Sequence, residues 1–457
     1  MSSRLLRLAV LPLRALQLFV MGLLFGLVLG FGRLGILFLP GKERRRAAAG
    51  RLKGRVMRFA MPLFGPTFIK LGQVLSSRPD LFPPEFIQEM RKLQDAVPPF
   101  GFRAVRRTVE RDLGRPLGEL FADFEEQSLA AGSVAQVHRA HLKDGTPVAV
   151  KVLRPAIRFR VELDASLLLG AAHLMNLHPK MKHGDPLGHM RQFMQAILDQ
   201  TDLRAEVRNY ERFRANFDGM PEVLFPKVYP ELSSPRVLTL EFLTGERVDR
   251  LESHNPQRIG TILHRAFLKM VFEDGFVHAD LHPGNLLVTE RGEVAIFDVG
   301  LITELNEPVL LQLFDFYKCL ISGAQAEWTS HLRKYHGYLT ERRVDVTEAL
   351  SRDLAGFSDT FRLASLAELE MNKVAERLLG VLSQHRMRAF SEVAVVVVGM
   401  STNEGILKML RPDVNVFAEL AIYVMPIAQQ KGLLENPVDL RRLGLAQEHD
   451  ADPEPRN

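Results

Sequence analysis

The sequence predicts a two-lobed α+β protein, and three observations support this class. Segments with strand character cluster early, at 129–153 and 237–243, whereas the chain from 256 to 435 has a mostly helical pattern. Runs of strands followed by runs of helices are typical of α+β folds rather than of alternating α/β folds. The length of 457 residues allows two or three domains of ordinary size.

Composition and charge exclude several other classes. The chain is 46% hydrophobic and 25% charged, close to the globular average, so it is not mainly disordered, collagen-like or coiled coil. Its single cysteine, Cys319, excludes an internal disulfide and a cysteine-based metal cluster. Residues 1–60 hold twelve basic residues and one acidic residue, so the rest of the chain is net acidic. This argues against nucleic acid as a partner and favours an anionic membrane surface near the N-terminus.

An uncharged apolar segment of eighteen residues, 15–32, lies near the N-terminus. This is about the minimum length that crosses a bilayer. Basic residues at 42 and 44–46 follow it, and the positive-inside rule then keeps the body of the protein on the cytoplasmic face of the membrane. A secretory signal is the weaker interpretation, because no clear small-residue cleavage site precedes the basic cluster. Spanning, peripheral association and a buried helix of a soluble domain stay open.

Two helices are predicted between residues 66 and 100, after a basic, Ala-rich connector at 41–60. Apolar residues at helical spacing mark the first helix. A Pro-Pro pair at 83–84 is typical of a helix start, and a second pair at 98–99 is expected to end that helix.

The pattern changes near Leu129, where the strands begin. The sequence VAQVHRAHL, a turn at 143–145 and the sequence VAVKVL together predict a β-hairpin. Residues 160–217 have the mixed charge of surface helices, and 237–243 predict another strand. In the later helical part, the sequences NLLV and VAIFDVG predict two short strands.

The strongest chemical signal is the segment His-Ala-Asp-Leu-His-Pro-Gly-Asn at 278–285, followed by an Asp-Val-Gly triplet that begins at Asp298. Phosphoryl transfer needs a group that orients the nucleophile and oxygen ligands for Mg²⁺. We predict that Asp280 orients the nucleophile and that Asn285 and Asp298 bind the metal. The alternative is a helix-linking loop in which Asp and Asn serve as caps.

A lysine on an apolar strand, Lys151, is the candidate that holds the α- and β-phosphates. Glu206 is the predicted helical partner of this lysine, and Glu211 is its competitor. Glu241 and Leu243 lie where a strand would meet the adenine. We expect Lys151 to converge with Asp280, Asn285 and Asp298 around one magnesium-bound triphosphate.

The predicted phosphate-covering turn is rich in alanine where a protein kinase has G-x-G-x-x-G. Methyl groups in place of two close-approach glycines should make this turn crowd the phosphates more and should restrict the movement of its backbone. We predict altered nucleotide geometry at this turn. Its residues are Ala130, Ala131, Gly132, Ser133, Val134, Ala135, Gln136 and Val137.

Across roughly residues 60–430 the chain resembles the UbiB/AarF/ADCK family of atypical protein-kinase-like proteins. The resemblance rests on the turn at 130–137, Lys151, the HADLHPGN loop, the Asp-Val-Gly triplet, the late segment 404–415 and, above all, Lys70-Leu71-Gly72-Gln73. It implies an α+β, bilobal protein-kinase-like fold with an N-terminal helical extension over the active site. It also implies that Lys70 and Gln73 act at the nucleotide site as catalytic residues, as do Asp280, Lys151 and Glu206.

The resemblance further implies ATP and Mg²⁺ as cofactors, ATPase activity and a role in isoprenoid quinone (ubiquinone, or coenzyme Q) biosynthesis. The implied partners are a membrane lipid or quinone precursor and enzymes of quinone biosynthesis, while a homodimer stays open. We predict five segments: a membrane-associating segment at 1–40, a connector and helical extension at 41–128, an N-lobe at 129–243, a C-lobe at 244–435 and a polar tail at 436–457.

Several positions depart from related patterns. The family usually has alanine at the position of Gly132 and an acidic residue at that of Gln200, and Ala279 replaces the arginine that precedes the catalytic Asp in protein kinases. No Ala-Pro-Glu follows the Asp-Val-Gly triplet, which argues against broad protein phosphorylation. Two other hypotheses remain: a small-molecule phosphotransferase, whose families lack the Lys70–Gln73 motif, and a non-catalytic, nucleotide-gated lipid-handling scaffold.

Overall fold

The computed structural model forms two compact units. It describes residues 3–76, 83–93, 97–178, 186–322, 329–330, 347–363, 371–385, 391–411 and 416–432. The first unit consists of Met1–Ala215, Phe225–Leu243 and Asp298–Gly300, and the second of Asn216–Leu224, Thr244–Phe297 and Leu301–Asn457. The predicted polar tail at 436–457 and residues 412–415 of the late segment lie outside the described residues.

Four helices begin the first unit: α1 (Ser3–Leu37), α2 (Lys42–Phe64), α3 (Pro66–Ser76) and α4 (Pro84–Arg91). The two helices predicted between 66 and 100 are α3 and α4, but the expected end of the second at 98–99 is wrong, because α4 stops at Arg91. Met61, Ile69, Phe86, Ile87, Met90 and Leu93 form the apolar core of this bundle.

Small residues let α2 and α3 pack closely on α4. A methyl group at Gly54 would lie 2.7 Å from Glu89 Cβ, and one at Gly72 would lie 2.7 Å from Leu93 Cδ2. Real Cβ contacts are not this short. Gly54 also faces the Phe86 backbone, which cannot move aside, whereas at Gly72 the ends of the Leu93 and Met90 side chains would have to shift. Gly72 belongs to the Lys-Leu-Gly-Gln motif, and its packing fixes the face of α3 that bears Lys70 and Gln73.

Helix α1 contains a 29-residue apolar stretch, Ala9–Leu37, that is long and apolar enough to cross a membrane, with a mean hydropathy of 2.1. One side of α1 packs on the first unit: Arg14 Nε lies 2.8 Å from Asp164 Oδ1, and the Phe25 and Phe64 rings are 5.9 Å apart. Its other side exposes large apolar side chains to solvent, including Phe19, Leu23, Leu27, Phe31 and Leu34.

The first unit also contains a four-stranded antiparallel sheet, in the order β1 (Asp123–Ala131), β2 (Ala135–His141), β3 (Pro147–Leu153), β5 (Val237–Glu241). The hairpin predicted from sequence is β2–β3, and it is confirmed. Helices α5 (Phe102–Leu113) and α6 (Leu117–Leu120) accompany the sheet. Valines of β3 pack with Val105, Val109 and Phe121 in the shared core.

Three further helices complete the first unit: α7 (Ile157–Leu177), α8 (Pro186–Asp199) and α9 (Leu203–Asn216). They confirm the helical character predicted for 160–217. Helix α9 carries Glu206 in its first turn.

The second unit has two small sheets. One has the order β4 (Val223–Leu224), β9 (Val294–Ile296), β8 (Leu286–Val288), β6 (Glu246–Arg247), and the other pairs β7 (Phe276–His278) with β10 (Ile302–Glu304). Strands β8 and β9 are the two predicted from NLLV and VAIFDVG. The helices with described bounds in this unit include α10 (Pro256–Leu268), α11 (Glu307–Ser322), α12 (Thr347–Leu363), α13 (Met371–Gln384), α14 (Ser391–Leu410) and α15 (Val416–Gln430).

Candidate functional site

Lys151 projects from β3 on the face opposite the core. Its neighbours Val150 and Val152 are fully buried, and the alternation of a strand turns the lysine to the other side. The side chain is 17% exposed, and its Nζ lies 2.8 Å from both carboxylate oxygens of Glu206 and 2.7 Å from Oδ1 of Asp298. The structure therefore brings together three of the residues selected from sequence, which come from distant parts of the chain.

The partner of Lys151 is Glu206, whereas the competing candidate Glu211 is exposed on the same helix. Helix α9 begins just after Asp202, whose carboxylate accepts a hydrogen bond from the Arg204 N–H at 3.1 Å, as a helix-capping side chain does. The Glu206 side chain is 5% exposed. Without Lys151, this carboxylate would be a buried charge that lacks an ion-pair partner.

Asp298 has a backbone φ of 53°, in the left-handed region that residues other than glycine rarely adopt. Two side chains of α9 hold the segment it begins. The Asp298 N–H donates to the Tyr210 hydroxyl oxygen at 3.0 Å, and the Asn209 Nδ2 donates to the Val299 carbonyl at 2.8 Å. A methyl group on Gly300 would lie 3.3 Å from Asp298 Oδ1, so glycine keeps room for the carboxylate.

Sequence reasoning missed Tyr210 and Asn209. A signal was available, because Tyr210 lies four residues after Glu206, on the same face of a helix. An aromatic residue at that spacing has the pattern of an ordinary core residue, and Tyr210 is in fact buried. Its contact with Asp298 joins segments 88 residues apart and cannot be inferred from local pattern.

The charges of this cluster are mutually dependent. Burial opposes the protonated form of Lys151, but Asp298 and Glu206 outweigh it and raise the pKa of its ammonium group. Burial raises the pKa of the Glu206 carboxyl, and the charge of Lys151 acts against this rise. Burial also raises the pKa of the Tyr210 phenol, with a contribution from Glu206, so the hydroxyl stays neutral. The cluster thus holds one firmly charged lysine between two carboxyl groups.

The turn predicted at 130–137 is shorter in the structure: 130–131 end β1, 135–137 begin β2, and only residues 132–134 join the strands. Hydrogen bonds hold this connection at Gly132. The Gly132 N–H donates to the Ala135 carbonyl at 2.8 Å, and its own carbonyl accepts from Arg154 Nε at 3.0 Å. The Arg154 N–H also donates to the Val134 carbonyl at 2.8 Å. These hydrogen bonds restrict the backbone freedom that Gly132 would otherwise give the turn. A methyl group at Gly132 would meet the Ala135 oxygen at 3.6 Å, which is ordinary contact.

The amide of Gln136 forms hydrogen bonds with the protein backbone. Its buried amide exchanges two hydrogen bonds with the Phe100 backbone, accepting from N–H at 2.8 Å and donating to the carbonyl at 3.2 Å. This contact ties the turn to the segment that follows the helical bundle.

The two remaining groups of candidates in the first unit lie on α3 and at the end of β5. Lys70 and Gln73 are half-buried on α3, and the charge of Lys70 is a minor contribution that opposes the rise which burial causes in the pKa of Glu206. Glu241 is the last residue of β5, its N–H donates to the Lys227 carbonyl at 2.8 Å, and Leu243 follows it, half-buried. Helical spacing from Lys70 and Gln73 also predicts Ser77 on their face, but Ser77 lies outside the described residues.

In the second unit the segment 278–285 forms a loop closed by its own hydrogen bonds. The Asp280 carbonyl accepts from the His282 N–H at 3.0 Å and from Asn285 Nδ2 at 3.0 Å. The buried His278 ring accepts from the Asp280 N–H at 3.2 Å through Nδ1, so its Nε2 donates to the Phe297 carbonyl at 3.2 Å. The loop thereby holds Asp280 and Asn285 in fixed positions, with the Asp280 side chain half-buried.

Each unit has one oxygen donor of a kind that Mg²⁺ prefers. In the first unit, Asp298 has a carboxylate that is 53% exposed. In the second unit, Asn285 has an amide oxygen, while its Nδ2 donates to the Asp280 carbonyl. Within the described part of the chain, no group of three or more His, Cys, Asp or Glu side chains could hold a metal by itself. Magnesium is commonly bound by one or two protein oxygens together with phosphate oxygens and water, so a small donor set fits it.

Comparison with known proteins gives consistent results. A family model described as the ABC1 atypical kinase-like domain matches residues 92–331. The chain is 32% identical over 400 residues to the chloroplastic protein ACTIVITY OF BC1 COMPLEX KINASE 7 of Arabidopsis thaliana, covering 85% of this chain and 56% of that protein. It is 34% identical over 291 residues to a probable protein kinase UbiB of Sodalis glossinidius, covering 62% of this chain and 53% of the relative.

The chain therefore spans about half the length of these two relatives. A solved structure of the Mycobacterium tuberculosis protein Rv3197 in complex with erythromycin matches with a TM-score of 0.53 and 23% identity, over 78% of this chain and 90% of that one. At this identity the match shows a shared fold. The fold class predicted from sequence, a kinase-like α+β fold with helices at the N-terminus, is confirmed.

Proposed function

The chain belongs to the ABC1 atypical kinase-like family, and we propose that it is a membrane-associated, ATP- and Mg²⁺-dependent kinase-like ATPase that supports isoprenoid quinone biosynthesis. The observation that carries this proposal is the contact of Lys151 with both Glu206 and Asp298. A strand lysine fixed by a helical glutamate is the arrangement that kinase-like folds use for nucleotide phosphates. The similarity to a UbiB protein supports the link to ubiquinone.

Each candidate residue has a proposed role. Lys151 binds the α- and β-phosphates, and Glu206 holds that lysine in place. Asp298 and Asn285 are the protein ligands of Mg²⁺, which would neutralise charge on the phosphates when bound. Asp280 orients the attacking nucleophile, and among the described residues its carboxylate has no hydrogen-bond partner that would compete for this task.

The Lys-Leu-Gly-Gln motif narrows the range of acceptors. Lys70 acts electrostatically on Glu206, so α3 contributes a charge to the same cluster. A helix over a nucleotide site would leave little room for a protein substrate. We therefore propose that water, rather than a protein side chain, receives the phosphoryl group.

Membrane association is proposed for α1. Its exposed apolar face, which includes Phe19, Leu23, Leu27 and Phe31, has no partner among the described residues. The helix that follows, α2, begins with exposed basic side chains at positions 42 and 44–46, which suit anionic head groups. Replacing Phe19 and Leu27 together with glutamate should prevent co-sedimentation with anionic vesicles. Unchanged sedimentation of that variant would contradict a role for this face.

The decisive experiment is an ATPase assay of the purified full chain with and without anionic vesicles and quinone-like phenols. Mg²⁺-dependent hydrolysis should be lost, by about 100-fold or more, in Asp298→Asn and Lys70→Ala. Asp249→Asn is the matched control, because Asp249 is a surface carboxylate paired with Arg247. Phosphate transfer to an added alcohol would instead favour a small-molecule phosphotransferase.

A cellular readout separates catalysis from a scaffold role. If hydrolysis supports quinone synthesis, cells that carry Asp298→Asn should show lower quinone content together with lost ATPase activity. Normal quinone content in that variant would contradict the proposed enzymatic role and favour a non-catalytic scaffold.

A further inference from the structure

The left-handed backbone of Asp298 needs a local cause. An L-residue at a φ of 53° persists where neighbouring groups hold it. The carboxylate end of Asp298 is held by Lys151 at 2.7 Å, and that contact depends on the protonated lysine. The backbone end is held by a neutral group, the Tyr210 hydroxyl, at 3.0 Å from the Asp298 nitrogen.

Tyr210 is well built for this task. It is buried in α9, one turn after Glu206, so the helix that places the partner of Lys151 also places this hydroxyl. Asn209, next to it, holds the following carbonyl, that of Val299, at 2.8 Å. The same helix therefore grips the Asp-Val-Gly segment at two consecutive residues.

We propose that Tyr210 is a positioning residue for Mg²⁺-nucleotide binding, which acts by holding the Asp298 backbone so that its carboxylate faces Lys151. The inference rests on the proposed function, because it assigns the Asp298 carboxylate to a metal-bound nucleotide. It adds a residue to which neither the family motifs nor the sequence pattern assigns a role. Without the hydroxyl, the segment would leave the left-handed conformation more often, and the metal would bind a less organised ligand.

Tyr210→Phe tests this directly, because it removes one oxygen and keeps the buried ring. Binding of a fluorescent ATP analogue to the full chain is measured at increasing MgCl₂ and also with EDTA. We expect the Mg²⁺ concentration for half-maximal binding to rise about threefold to tenfold, as for the loss of one hydrogen bond. Affinity in EDTA should stay unchanged. Tyr423→Phe is the matched control, because it removes a hydroxyl that donates to Glu273 far along the sequence.

A double variant separates positioning from a general structural role. In Asp298→Asn the metal ligand is already weakened, so adding Tyr210→Phe should shift the Mg²⁺ dependence no further. Equal shifts in both backgrounds, or an equal loss of affinity in EDTA, would overturn the proposal. Asn209→Ala, which removes the neighbouring contact, should shift the Mg²⁺ dependence in the same direction and by less.

Failure of this inference is distinguishable from failure of the proposed function. If the natural chain does not bind the ATP analogue with Mg²⁺, the proposed function is wrong. If it does bind and Tyr210→Phe has the same Mg²⁺ dependence, the function stands and the positioning role of Tyr210 is wrong.

Discussion

The two regions that carry the predicted chemistry are built in different ways. In the first unit, Lys151 forms ion pairs with Glu206, which is 55 residues away in sequence, and with Asp298, which is 147 residues away. In the second unit, Asp280 and Asn285 lie five residues apart in one loop and are joined by hydrogen bonds of the backbone and of His278. The first region depends on tertiary structure, and the second is largely encoded locally.

This difference predicts different responses to mutation. Removing one member of the charged cluster leaves a buried charge without its partner, which is costly. Removing the carboxylate of Asp280 breaks none of the bonds that close its loop, because that loop uses the Asp280 backbone. We therefore expect stability and activity to be coupled in the first region and separable in the second.

The largest effect is expected for Lys151→Met. It leaves the buried Glu206 carboxylate unpaired and should lower the free energy of unfolding by about 3–5 kcal/mol, measured by urea denaturation. Asp280→Asn should leave that free energy within about 0.5 kcal/mol of its natural value while ATPase activity is lost. Comparable destabilisation by both variants would contradict the proposed difference between the two regions. Adding Glu206→Gln to Lys151→Met should restore part of the lost stability.

The second effect concerns pH in the second unit, where a neutral histidine is buried. Burial lowers the pKa of His264 to about 4. The charge of Glu419 opposes this decrease, and the charge of Arg411 adds to it. The His264 Nδ1 lies 2.9 Å from Asn403 Nδ2. Since the unfolded chain has a histidine pKa of about 6.5, it takes up the proton first as pH falls. Stability should therefore be lost between about pH 6.5 and 4, by about 3 kcal/mol in total.

The variant His264→Gln tests the assignment of this acid sensitivity. Denaturation measured from pH 7 to 4 should be flatter in His264→Gln than in the natural chain. His173→Gln, at an exposed position on α7, should change nothing. A steep loss of stability that persists in His264→Gln would show that other groups are responsible.

A smaller loss of stability is expected for His278→Phe, and comparing it with His282→Phe tests which histidine holds the loop. The substitution keeps a buried ring and removes two hydrogen bonds, those with the Asp280 N–H and the Phe297 carbonyl. Leaving these groups unpaired should cost about 2 kcal/mol in thermal or urea denaturation. His282→Phe should cost less, because the bond it removes, from the Gly284 N–H, is exposed to solvent. Equal effects would contradict the loop geometry.

The smallest effect is expected for Gly132→Ala in the Ala-rich turn. The added methyl group fits against the Ala135 oxygen at 3.6 Å, and the alanine lowers the entropy of the unfolded chain. Stability should therefore be unchanged or rise by up to about 1 kcal/mol. Arg154→Ala, which removes the bond to the Gly132 carbonyl, should increase amide hydrogen exchange in the turn. A strong loss of stability in Gly132→Ala would contradict the turn geometry.

Features that are encoded locally could be predicted from the sequence, whereas contacts between distant segments could not. The hairpin β2–β3 was predictable because its strands alternate around Lys151, and the loop at 278–285 was predictable because its residues are close in sequence. Strand β1 was missed in part, since the polar run Glu125-Glu126-Gln127 within it hides the strand pattern. The contacts of Tyr210 and Arg154 were missed because each joins segments that only folding brings together.

The charged cluster of Lys151, Glu206 and Asp298 was only partly predictable from the sequence. A strand lysine and a helical glutamate could be nominated from residue type and order, but two glutamates of α9 were candidates. Burial decides between them: Glu206 faces inward and Glu211 does not. The sequence favoured Glu206, but the helical phase of a short, charge-rich segment could not exclude Glu211, because both residues carry the same charge.

The most direct test of the account is a calorimetric titration of Mg²⁺-ATP into the full chain, the Lys151→Met variant and the Asp249→Asn control. We predict that the natural chain and the control bind with the same affinity and that Lys151→Met binds at least about tenfold more weakly. Equal affinity in all three proteins, or no binding by the natural chain, would contradict the assignment of the Lys151 cluster to the nucleotide phosphates.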